Sequence, residues 1–547
     1  MLCYKTPPYT KQREVIEAVI GNDLQYWALL CEMGTGKTKM SIDIATNLFY
    51  EKKIELVVVV APNAVFGQWI TEGLPEHGSN YLGLTWNRSS SKQYRRAVQS
   101  FKAAKGSLKW FAVNTEAFSR EGSMQPVLWD ILCSCERFGS GRFKALLIID
   151  EASAIKNPDS GRSKELAKWA RAFRYRSILT GTPSPQSLSN IWNLYETLDK
   201  NFWGVSYLVF RHAHVLMYRC RVEFQKNGRT LHKYIDHELD ATTWKRVKGT
   251  IAAQRSGRGE VQYTEIANRF DMSVATVLSI EAQERYDPYI NVERITEAIK
   301  PYTFTLKKSD CKDMPPKIFQ KVSLALSKAQ REALYQMKRE NIVIGETGIL
   351  TITNKSQLLI RAMQICGGFL PLSTDTPGVY TLEEIKGGNP KLERLLLEID
   401  ELGGEQAIVW AHFNAEQQLL KKTFTEKGIS ASYYIGETSP EALEREKARF
   451  IAGDTQVMLM SPNMGAYGIN LVNATVQLWY SRGWSVEKRL QALDRSHRIT
   501  STKPVIYKDL VYLGTVDDLV LAALSRGQDI NQLIMSMEPS EIFNVQE

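Results

Sequence analysis

The sequence predicts an α/β protein with two parallel-sheet lobes in tandem and a mostly helical insertion between them. At 547 residues the chain exceeds what one hydrophobic core usually organises. Apolar runs of strand length, such as Ile54–Pro62, alternate with helical patterns in the first part of the chain, and the alternation returns after about residue 320. We therefore predict a first lobe over residues 1–200, a helical insertion or linker over 201–320, and a second lobe over 321–547.

The composition, 44% hydrophobic and 24% charged, is typical of a soluble globular protein. The net charge of +9 is uneven, because Arg211 to Arg258 contains eleven basic and four acidic residues. Such a segment suits a polyanionic partner, although a solvated face is the alternative.

The seven cysteines form no CxxC pair, and no apolar run is long enough to span a membrane. We expect a cytoplasmic protein of a reducing compartment, nucleoid-associated or, in a eukaryote, nuclear.

The stretch Trp27–Thr38, WALLCEMGTGKT, predicts a buried strand, a glycine-rich loop and the start of a helix. Backbone N–H groups of such a loop close around phosphate oxygens, and the helix N-terminus favours negative charge. The lysine would reach the outer phosphates of ATP, and the threonine hydroxyl would bind Mg²⁺. An ordinary strand-to-helix turn is the alternative. The predicted phosphate-binding residues are Gly34, Thr35, Gly36, Lys37 and Thr38.

A second predicted strand, in Ala145–Ser153 (ALLIIDEAS), delivers two carboxylates to its C-terminal end. In an open α/β sheet that end is where ligands bind. Asp150 can hold Mg²⁺, and Glu151 can orient and deprotonate the attacking water. A strand that ends in solvated acids is the alternative. Thr180 and Thr182, on the next strand, are either nucleotide sensors or turn residues.

The predicted insertion contains a helix-turn-helix pattern over 261–281, with Asp271 where glycine often stands in the turn. Ser273 is placed to cap the second helix. Arg255 and Arg258 precede the pattern and are candidates for DNA contacts. The alternative is a helical pair that only packs against the lobes.

The second lobe has no second P-loop. Gly468 lies in a glycine-containing stretch, GAYGINL, that permits close backbone approach. Farther on, Gln491, Arg495 and Arg498 follow one another at spacings of four and three, which predicts one shared helical face. Arginines on this lobe suggest a nucleotide held between the lobes, with an arginine finger supplied across the cleft. A surface helix with salt bridges is the alternative.

Taken together, the ordered motifs resemble those of superfamily 2 helicases, and within them the SNF2 family of double-stranded DNA translocases. The resemblance covers about residues 5–200 and 300–520. Trp69, LKKSD with PPK, and MQICGGFL favour SNF2 over a general helicase. The motifs are EMGTGKT, VAPNAVFGQW, IIDEASAIKN, ILTGTP, VWAHF, MGAYGINL and QALDRSHRI.

The resemblance implies two RecA-like lobes, hydrolysis of ATP with Mg²⁺ in the cleft, and movement along duplex DNA without full strand separation. By position it makes Gln12 the adenine reader, and it makes the group of Gln491, Arg495 and Arg498 the motif that closes the site. Positions near the DNA track are Thr115, Asn157, Ser461 and Asn463. The chain departs from the family pattern at Cys31, Ser153 and Thr500.

The sequence thus predicts a DNA-stimulated ATPase that translocates on double-stranded DNA. Three alternatives keep the same motifs or part of them. A strand-separating or branch-migrating helicase keeps all of them, and an RNA-directed motor keeps the ATPase residues. A sequence-specific DNA-binding regulator would use the helix-turn-helix, with ATP as a switch.

Overall fold

The computed structural model divides the chain into two compact units, residues 1–32 with 36–306, and residues 33–35 with 307–547. The structure describes residues 2–63, 65–88, 91–119, 122, 124–139, 141–181, 189–226, 229–258, 261–284, 287–311, 315–340, 342–344, 349–351, 355–373, 380–436, 438–465, 471–497, 501 and 503–526. Within these ranges we find no helix that is long and apolar enough to cross a membrane.

The first unit is built on a seven-stranded parallel sheet in the order β3-β4-β2-β5-β6-β1-β9. Its β2 is buried along its whole length, as expected for a strand covered on both faces. The strands of this unit are β1 Tyr26–Leu30, β2 Leu56–Ala61, β3 Tyr81–Thr85, β4 Leu108–Asn114, β5 Phe143–Ile149, β6 Phe173–Thr180, β7 Met217–Lys226, β8 Arg229–Glu238 and β9 Thr303–Phe304.

Helices connect these strands and cover the sheet. They are α1 Thr10–Gly21, α2 Lys37–Tyr50, α3 Leu74–His77, α4 Lys92–Ala103, α5 Met124–Leu132, α6 Gly161–Ala170, α7 Ser189–Leu198, α8 Tyr207–His214, α9 Ala241–Arg258, α10 Tyr263–Arg269, α11 Val274–Ala282 and α12 Val292–Ile299. Short helices also follow the sheet strands, at Thr115–Phe118 and Ala152–Ile155.

The segment between β6 and β9 is mostly helical, as predicted, and it contains the two helices of the helix-turn-helix pattern, α10 and α11. The Ser273 hydroxyl accepts a hydrogen bond from the Thr276 N–H at 3.0 Å and caps α11, also as predicted. Asp271 takes the left-handed backbone conformation, φ 49°, that would suit a glycine in the turn. Within this segment, the antiparallel hairpin β7–β8 was not predicted.

The second unit has a six-stranded parallel sheet in the order β10-β19-β18-β15-β17-β16. Two parallel sheets with covering helices confirm the predicted α/β fold class. The strands are β10 Lys317–Leu324, β11 Ile342–Ile344, β12 Ile349–Thr351, β13 Phe369–Ser373, β14 Tyr380–Glu384, β15 Ala407–Trp410, β16 Ala431–Tyr434, β17 Val457–Met460, β18 Val476–Trp479 and β19 Val505–Tyr512. The helices are α13 Lys308–Cys311, α14 Lys328–Glu340, α15 Lys355–Cys366, α16 Pro390–Asp400, α17 Asn414–Glu426, α18 Pro440–Ala452, α19 Pro462–Gly465, α20 Val486–Leu493 and α21 Val516–Ser525.

Candidate functional site

The sheet of the first unit brings the predicted P-loop and the predicted acidic pair to one edge. Strands β5, β6 and β1 are neighbours in that order, and all run parallel. Their carboxyl ends therefore meet. The P-loop follows β1, Asp150 follows β5, and Thr180 ends β6. Side chains that lie 113 residues apart in sequence, Lys37 and Asp150, interact electrostatically at this edge.

The loop after β1 depends on its two glycines. Gly34 and Gly36 have φ angles of 78° and 86°, in the left-handed region that side chains rarely adopt, and α2 begins directly after Gly36. A Cβ atom on Gly36 would lie 2.4 Å from Nε2 of Gln12. The side chain of Gln12 is buried, and its Oε1 accepts a hydrogen bond from the Tyr9 N–H at 3.0 Å. The proposed adenine reader is thus fixed against the phosphate-binding loop.

Lys37 lies within the curve of this loop. Its Nζ donates hydrogen bonds to the carbonyl oxygens of Cys31, at 2.8 Å, and Glu32, at 3.2 Å. Neither acceptor carries a full charge, so the ammonium group keeps a positive field suited to phosphate oxygens. The hydroxyl-bearing Thr38 follows at the first turn of α2, where the helix dipole adds to that field.

Asp150 is held by hydrogen bonds to both of its carboxylate oxygens. The indole Nε1–H of Trp69 donates to Oδ2 at 3.0 Å, and the backbone N–H of Glu151 donates to Oδ1 at 2.9 Å. Burial raises the pKa of Asp150, while the Trp69 hydrogen bond and the charge of Lys37 oppose that rise. Each oxygen still has an acceptor lone pair, so the group fits the carboxylate ligand that Mg²⁺ prefers. The sequence analysis used Trp69 only as a family marker and missed this contact.

Glu151 has an unusual backbone conformation. Its φ of 52° and ψ of 56° are left-handed, and the short helix Ala152–Ile155 begins directly after it. Such strain costs on the order of 1 kcal/mol or more for a residue with a side chain and is concentrated at functional sites. The role of Glu151 in activating water remains a prediction.

The predicted DNA positions of the first unit lie at the short helices that follow β4 and β5: Thr115 begins the first of them, and Asn157 comes two residues after the second. Thr115 follows β4, is 2% exposed, and its hydroxyl has no hydrogen-bond partner among the described residues. Asn157 is exposed, and its Oδ1 accepts a hydrogen bond from the Asp159 N–H at 2.9 Å. A buried hydroxyl without an acceptor at Thr115 is consistent with a ligand contact. Thr182, considered with Thr180 as a nucleotide sensor, lies outside the described residues.

In the second unit, a pocket forms where β15, β17 and β18 end. These strands are parallel neighbours, so the segments that follow them converge. Ser461 is 5% exposed after β17, and Asn463 accepts a hydrogen bond from Nζ of Lys488 at 2.7 Å. Two predicted DNA positions thus lie in or directly beside a concave surface. Its lining residues are His412, Pro462, Asn463, Trp479, Arg482, Gly483, Trp484, Ser485, Lys488 and Arg489.

The pocket wall contains two buried arginines that share one carboxylate. Arg489 donates to both oxygens of Asp509, at 2.7 and 3.0 Å, and its guanidinium carbon lies 3.6 Å from the ring centroid of Trp479. Nε of Arg482 lies 3.2 Å from the same carboxylate. Burial lowers the pKa of His412, also in the wall, to about 4, so its imidazole is neutral. Arg482 also faces Asp517, at 3.8 Å, and half-buried Lys488 adds a third cation to the wall, so the local charge is net positive and favours an anionic ligand such as a phosphate. The sequence analysis missed these residues, although the basic letters of SRGWSVEKR were visible.

The structure corrects the prediction that Gln491, Arg495 and Arg498 share a helical face. Helix α20 ends at Leu493, so Gln491 lies in its last turn and Arg495 lies beyond it. Arg495 is buried, and its Nε donates to the carbonyl oxygen of Gln491 at 3.0 Å. Arg498 and Gly468 are both outside the described residues. Their roles, and those of Gln491 and Arg495, remain predictions.

Asp494, the residue directly after α20, is held by two lysines. Nζ of Lys308 and Nζ of Lys317 each lie 2.6 Å from its carboxylate, and although burial opposes it, their charges lower the pKa of Asp494. Lys308 also donates to the carbonyl oxygen of His497 at 2.8 Å. Nε2 of His497 is hydrogen-bonded to the carbonyl oxygen of Pro315 at 2.8 Å. These contacts join the LKKSD and PPK segments to the QALDRSHR segment and hold it in position.

The predicted DNA contact Arg255 has an acidic partner. Its guanidinium pairs with Glu281, whose other carboxylate oxygen accepts a hydrogen bond from the Tyr263 hydroxyl at 2.7 Å. Arg255 is thus partly neutralised within the insertion. The side chain of Arg258 lies outside the part of the chain that the structure describes.

Two protein families match the chain. The SNF2-related domain matches residues 22–366, and the helicase conserved C-terminal domain matches residues 390–500. The first match alone covers more than half of the 547 residues.

Among curated proteins, the chain is 25% identical over 512 residues to the mouse SWI/SNF-related matrix-associated actin-dependent regulator of chromatin subfamily A member 1. It is 22% identical over 507 residues to Protein CHROMATIN REMODELING 24 of Arabidopsis thaliana. The alignments cover 90% and 89% of this chain but only 40% and 42% of those proteins.

Among solved structures, the Sulfolobus solfataricus SWI2/SNF2 ATPase core in complex with dsDNA is 18% identical over the whole of both chains, with a TM-score of 0.37. The two family matches confirm the resemblance that the motifs indicated. The chain belongs to the SNF2-related family of helicase-type ATPases.

Proposed function

We propose that this protein is a DNA-stimulated ATPase that translocates on double-stranded DNA. One observation supports the proposal above the others: Lys37 in a glycine-rich loop lies at the same sheet edge as a buried carboxylate, Asp150, that Trp69 fixes in place. These are the groups that phosphoryl transfer to water requires, a cation for the phosphates and an oriented carboxylate for the metal.

Each residue then has a defined task in hydrolysis. Lys37 would stabilise charge on the outer phosphates, and Glu151 would orient the attacking water and accept its proton. Thr38 and Asp150 would hold Mg²⁺, which neutralises phosphate charge when it is bound. Gln12, fixed beside the loop, would read the adenine edge.

The second lobe would complete the cycle. As the family resemblance implies, Gln491, Arg495 and Arg498 would approach the γ-phosphate when ATP binds and would withdraw after hydrolysis. Alternating grip on the DNA backbone would turn that cycle into movement. The cationic pocket beside Asn463 and the buried hydroxyl of Thr115 support phosphate contacts on the two lobes.

Duplex DNA is the proposed partner. The five cysteines whose side chains the structure describes are unbridged, which suits a reducing compartment, the cytoplasm or nucleus, where ATP and DNA are both present.

The test is an ATPase assay with and without duplex DNA. Lys37→Ala and Glu151→Gln should abolish turnover, since each removes a group that the reaction needs. Arg498→Ala should abolish turnover while nucleotide binding is largely retained, because its role is confined to the closed state. Normal turnover in these variants would refute the proposal.

A strand-separating helicase would use the same catalytic residues. Displacement of a labelled strand from a partial duplex distinguishes the two functions, because a duplex translocase leaves the strands paired. Comparing stimulation by duplex DNA and by RNA separates the proposed motor from an RNA-directed one.

A further inference from the structure

The residues that precede α1 form an arm that lies along α2. The arm is residues 3–9, CYKTPPY, all of which the structure describes and none of which belongs to a helix or strand. It ends with two prolines and Tyr9, the residue directly before α1. Gln12, the proposed adenine reader, comes three residues later. The arm therefore leads straight into the part of the nucleotide site that would contact the base.

Three side chains of α2 lie on the side of the helix that holds the arm. Lys39, Asp43 and Asn47 follow one another at spacings of four, which places them on one helical face. All three are buried, with exposed fractions of 8%, 1% and 4%. The same helix begins with Lys37 and Thr38 of the P-loop. One helix thus carries both the phosphate-binding residues and the contacts to the arm.

Asn47 binds the backbone of the arm at Cys3. Its Oδ1 accepts a hydrogen bond from the Cys3 N–H at 2.7 Å, and its Nδ2 donates to the Cys3 carbonyl oxygen at 3.0 Å. Nδ2 also donates to the carbonyl oxygen of Asp43 at 2.8 Å, within α2. One carboxamide therefore satisfies both backbone groups of Cys3 and fixes the beginning of the arm on the helix.

Lys39 binds the arm at Thr6, directly before the prolines. Its Nζ donates to the Thr6 carbonyl oxygen at 2.7 Å and pairs with Oδ2 of Asp43, also at 2.7 Å. The Thr6 hydroxyl is hydrogen-bonded to Nδ1 of His77, the last residue of α3, at 2.9 Å. A buried ion pair often stabilises a protein no more than apolar residues of the same volume, because both charges lose their hydration. Stability alone therefore explains Lys39 poorly, whereas its bond to Thr6 gives it a role in position.

The arm transmits the position of Thr6 to Gln12 with little freedom. A proline ring fixes φ at about −65° and also restricts the residue before it, and two prolines follow Thr6. Tyr9 comes next, and its N–H donates to Oε1 of Gln12 at 3.0 Å. A displacement of Thr6 would therefore move the donor that orients the Gln12 carboxamide.

The place of Gln12 makes it sensitive to such a displacement. It lies in the first turn of α1, where backbone N–H groups have no partners within the helix and the end can fray. Its Nε2 lies so close to the P-loop that a Cβ atom on Gly36 would be 2.4 Å from it. A small movement of the carboxamide would therefore change what it can contact beside the phosphates.

We propose that Lys39 and Asn47 are positioning residues for the base of the nucleotide. By holding the arm on α2 they orient the Gln12 carboxamide, and they thereby set the preference for adenine. This inference rests on the proposed function, because it concerns how ATP is bound. It differs from a general role in folding in one respect. Every nucleoside triphosphate presents the same phosphates to the P-loop, so only recognition of the base should depend on the arm.

The test is the KM and kcat of duplex-stimulated hydrolysis by the full chain, for ATP and for GTP. Lys39→Met, Asn47→Leu and Gln12→Ala are compared, and thermal melting confirms folding. Each change should raise the KM for ATP by about 3–10-fold, the factor for one hydrogen bond, with the loss in KM rather than in kcat. The KM for GTP should stay the same, because guanine carries an oxygen where adenine carries the amino group that a glutamine contacts.

Lys53→Met is the matched control for Lys39→Met. Lys53 follows α2 and pairs with Asp23 and Glu51, at 2.6 and 2.9 Å, and none of its described contacts is with the arm. The variant also loses one cation and should change neither KM. Asn47→Leu leaves the ion pair of Lys39 intact, so it provides the test if Lys39→Met does not fold.

Equal rises in the KM for ATP and for GTP would overturn the inference, because the P-loop rather than the base contact would then be disturbed. A preference for ATP that is lost in Gln12→Ala but kept in Lys39→Met and Asn47→Leu would overturn it too, as would an unmodified chain without any preference. The proposed function fails differently: the unmodified chain would then show no stimulation of ATP hydrolysis by duplex DNA.

Discussion

The hydrogen bond from Trp69 to Asp150 makes a measurable prediction about metal use. Trp69→Phe keeps an aromatic ring against Trp110, whose ring centroid lies 6.3 Å away at an interplanar angle of 25°. It removes the Nε1–H that donates to Oδ2 of Asp150 at 3.0 Å. The change therefore tests the orientation of the carboxylate with little loss of packing.

The expected size follows from the type of bond. A hydrogen bond to a charged group contributes about 1.5–3 kcal/mol, and removing an outer partner of a metal-binding carboxylate typically costs about 10–100-fold in metal affinity or activity. The Mg²⁺ concentration for half-maximal ATPase should rise by about that factor. Because the bond also opposes the rise in the pKa of Asp150, the acid limb of the pH profile should move to higher pH.

The assay is a Mg²⁺ titration of duplex-stimulated ATPase, with thermal melting to confirm folding. Trp110→Phe is the matched control, because it changes the other ring of the stacked pair. The contrary result is a folded Trp69→Phe variant whose half-maximal Mg²⁺ concentration stays within about twofold of that of the unmodified chain, well below the expected rise of about 10–100-fold. That result would refute the role of Trp69 in positioning Asp150.

Three further predictions follow from other contacts. Gly36→Ala should abolish ATP binding, measured with a fluorescent analogue, because its Cβ would meet Gln12 at 2.4 Å and its φ of 86° is strained for alanine. Asp494→Asn should lower the free energy of unfolding by about 3 kcal/mol in a denaturant titration, because it leaves the buried ammonium group of Lys308 without its carboxylate. Burial lowers the pKa of His412 in the folded protein to about 4, whereas its imidazole in the unfolded chain has a pKa near 6.5. As the pH falls, the unfolded chain therefore binds the proton first. Stability should therefore fall as the pH drops from about 6.5 towards 4, by up to about 3 kcal/mol, and His412→Gln should remove that part of the loss.

Each of these has a control or an outcome that would contradict it. Gly21→Ala, at a glycine whose added Cβ would meet nothing within 4 Å, should leave ATP binding intact. Asp518→Asn breaks a surface ion pair with Lys321 and should lower the free energy of unfolding by less than about 1 kcal/mol. An equal loss of stability in the Asp518→Asn and Asp494→Asn variants would contradict the importance of the buried ion pairs of Asp494. Identical acid sensitivity with and without His412 would show that its imidazole is not the group that titrates.

Local patterns in the sequence were enough to predict the first lobe and its site. The glycines, Lys37 and the acidic pair lie within motifs whose spacing fixes their place at strand ends, and the parallel order of β5, β6 and β1 then brings them together. Gln12 was placed by the family resemblance, and the structure sets it against the loop.

Contacts between residues distant in sequence could not be predicted in the same way. The helical spacing of Gln491 and Arg495 did not indicate that α20 ends at Leu493. Nor could it indicate that Asp494 pairs with Lys308 and Lys317, which lie almost two hundred residues earlier. The bond from Trp69 to Asp150 spans 81 residues. The hairpin, by contrast, had local signals that were overlooked: Cys220, Val222 and Phe224 alternate with polar residues, and an Asn-Gly pair between two ten-residue strands is a hairpin signal.

Translocation on duplex DNA is best measured by displacement of a labelled third strand from a DNA triplex, which reports movement along a duplex without strand separation. We expect ATP-dependent displacement by the unmodified chain, none by Glu151→Gln, and no release of either duplex strand. ATP hydrolysis at full rate with no displacement, or displacement that persists in Glu151→Gln, would contradict this expectation.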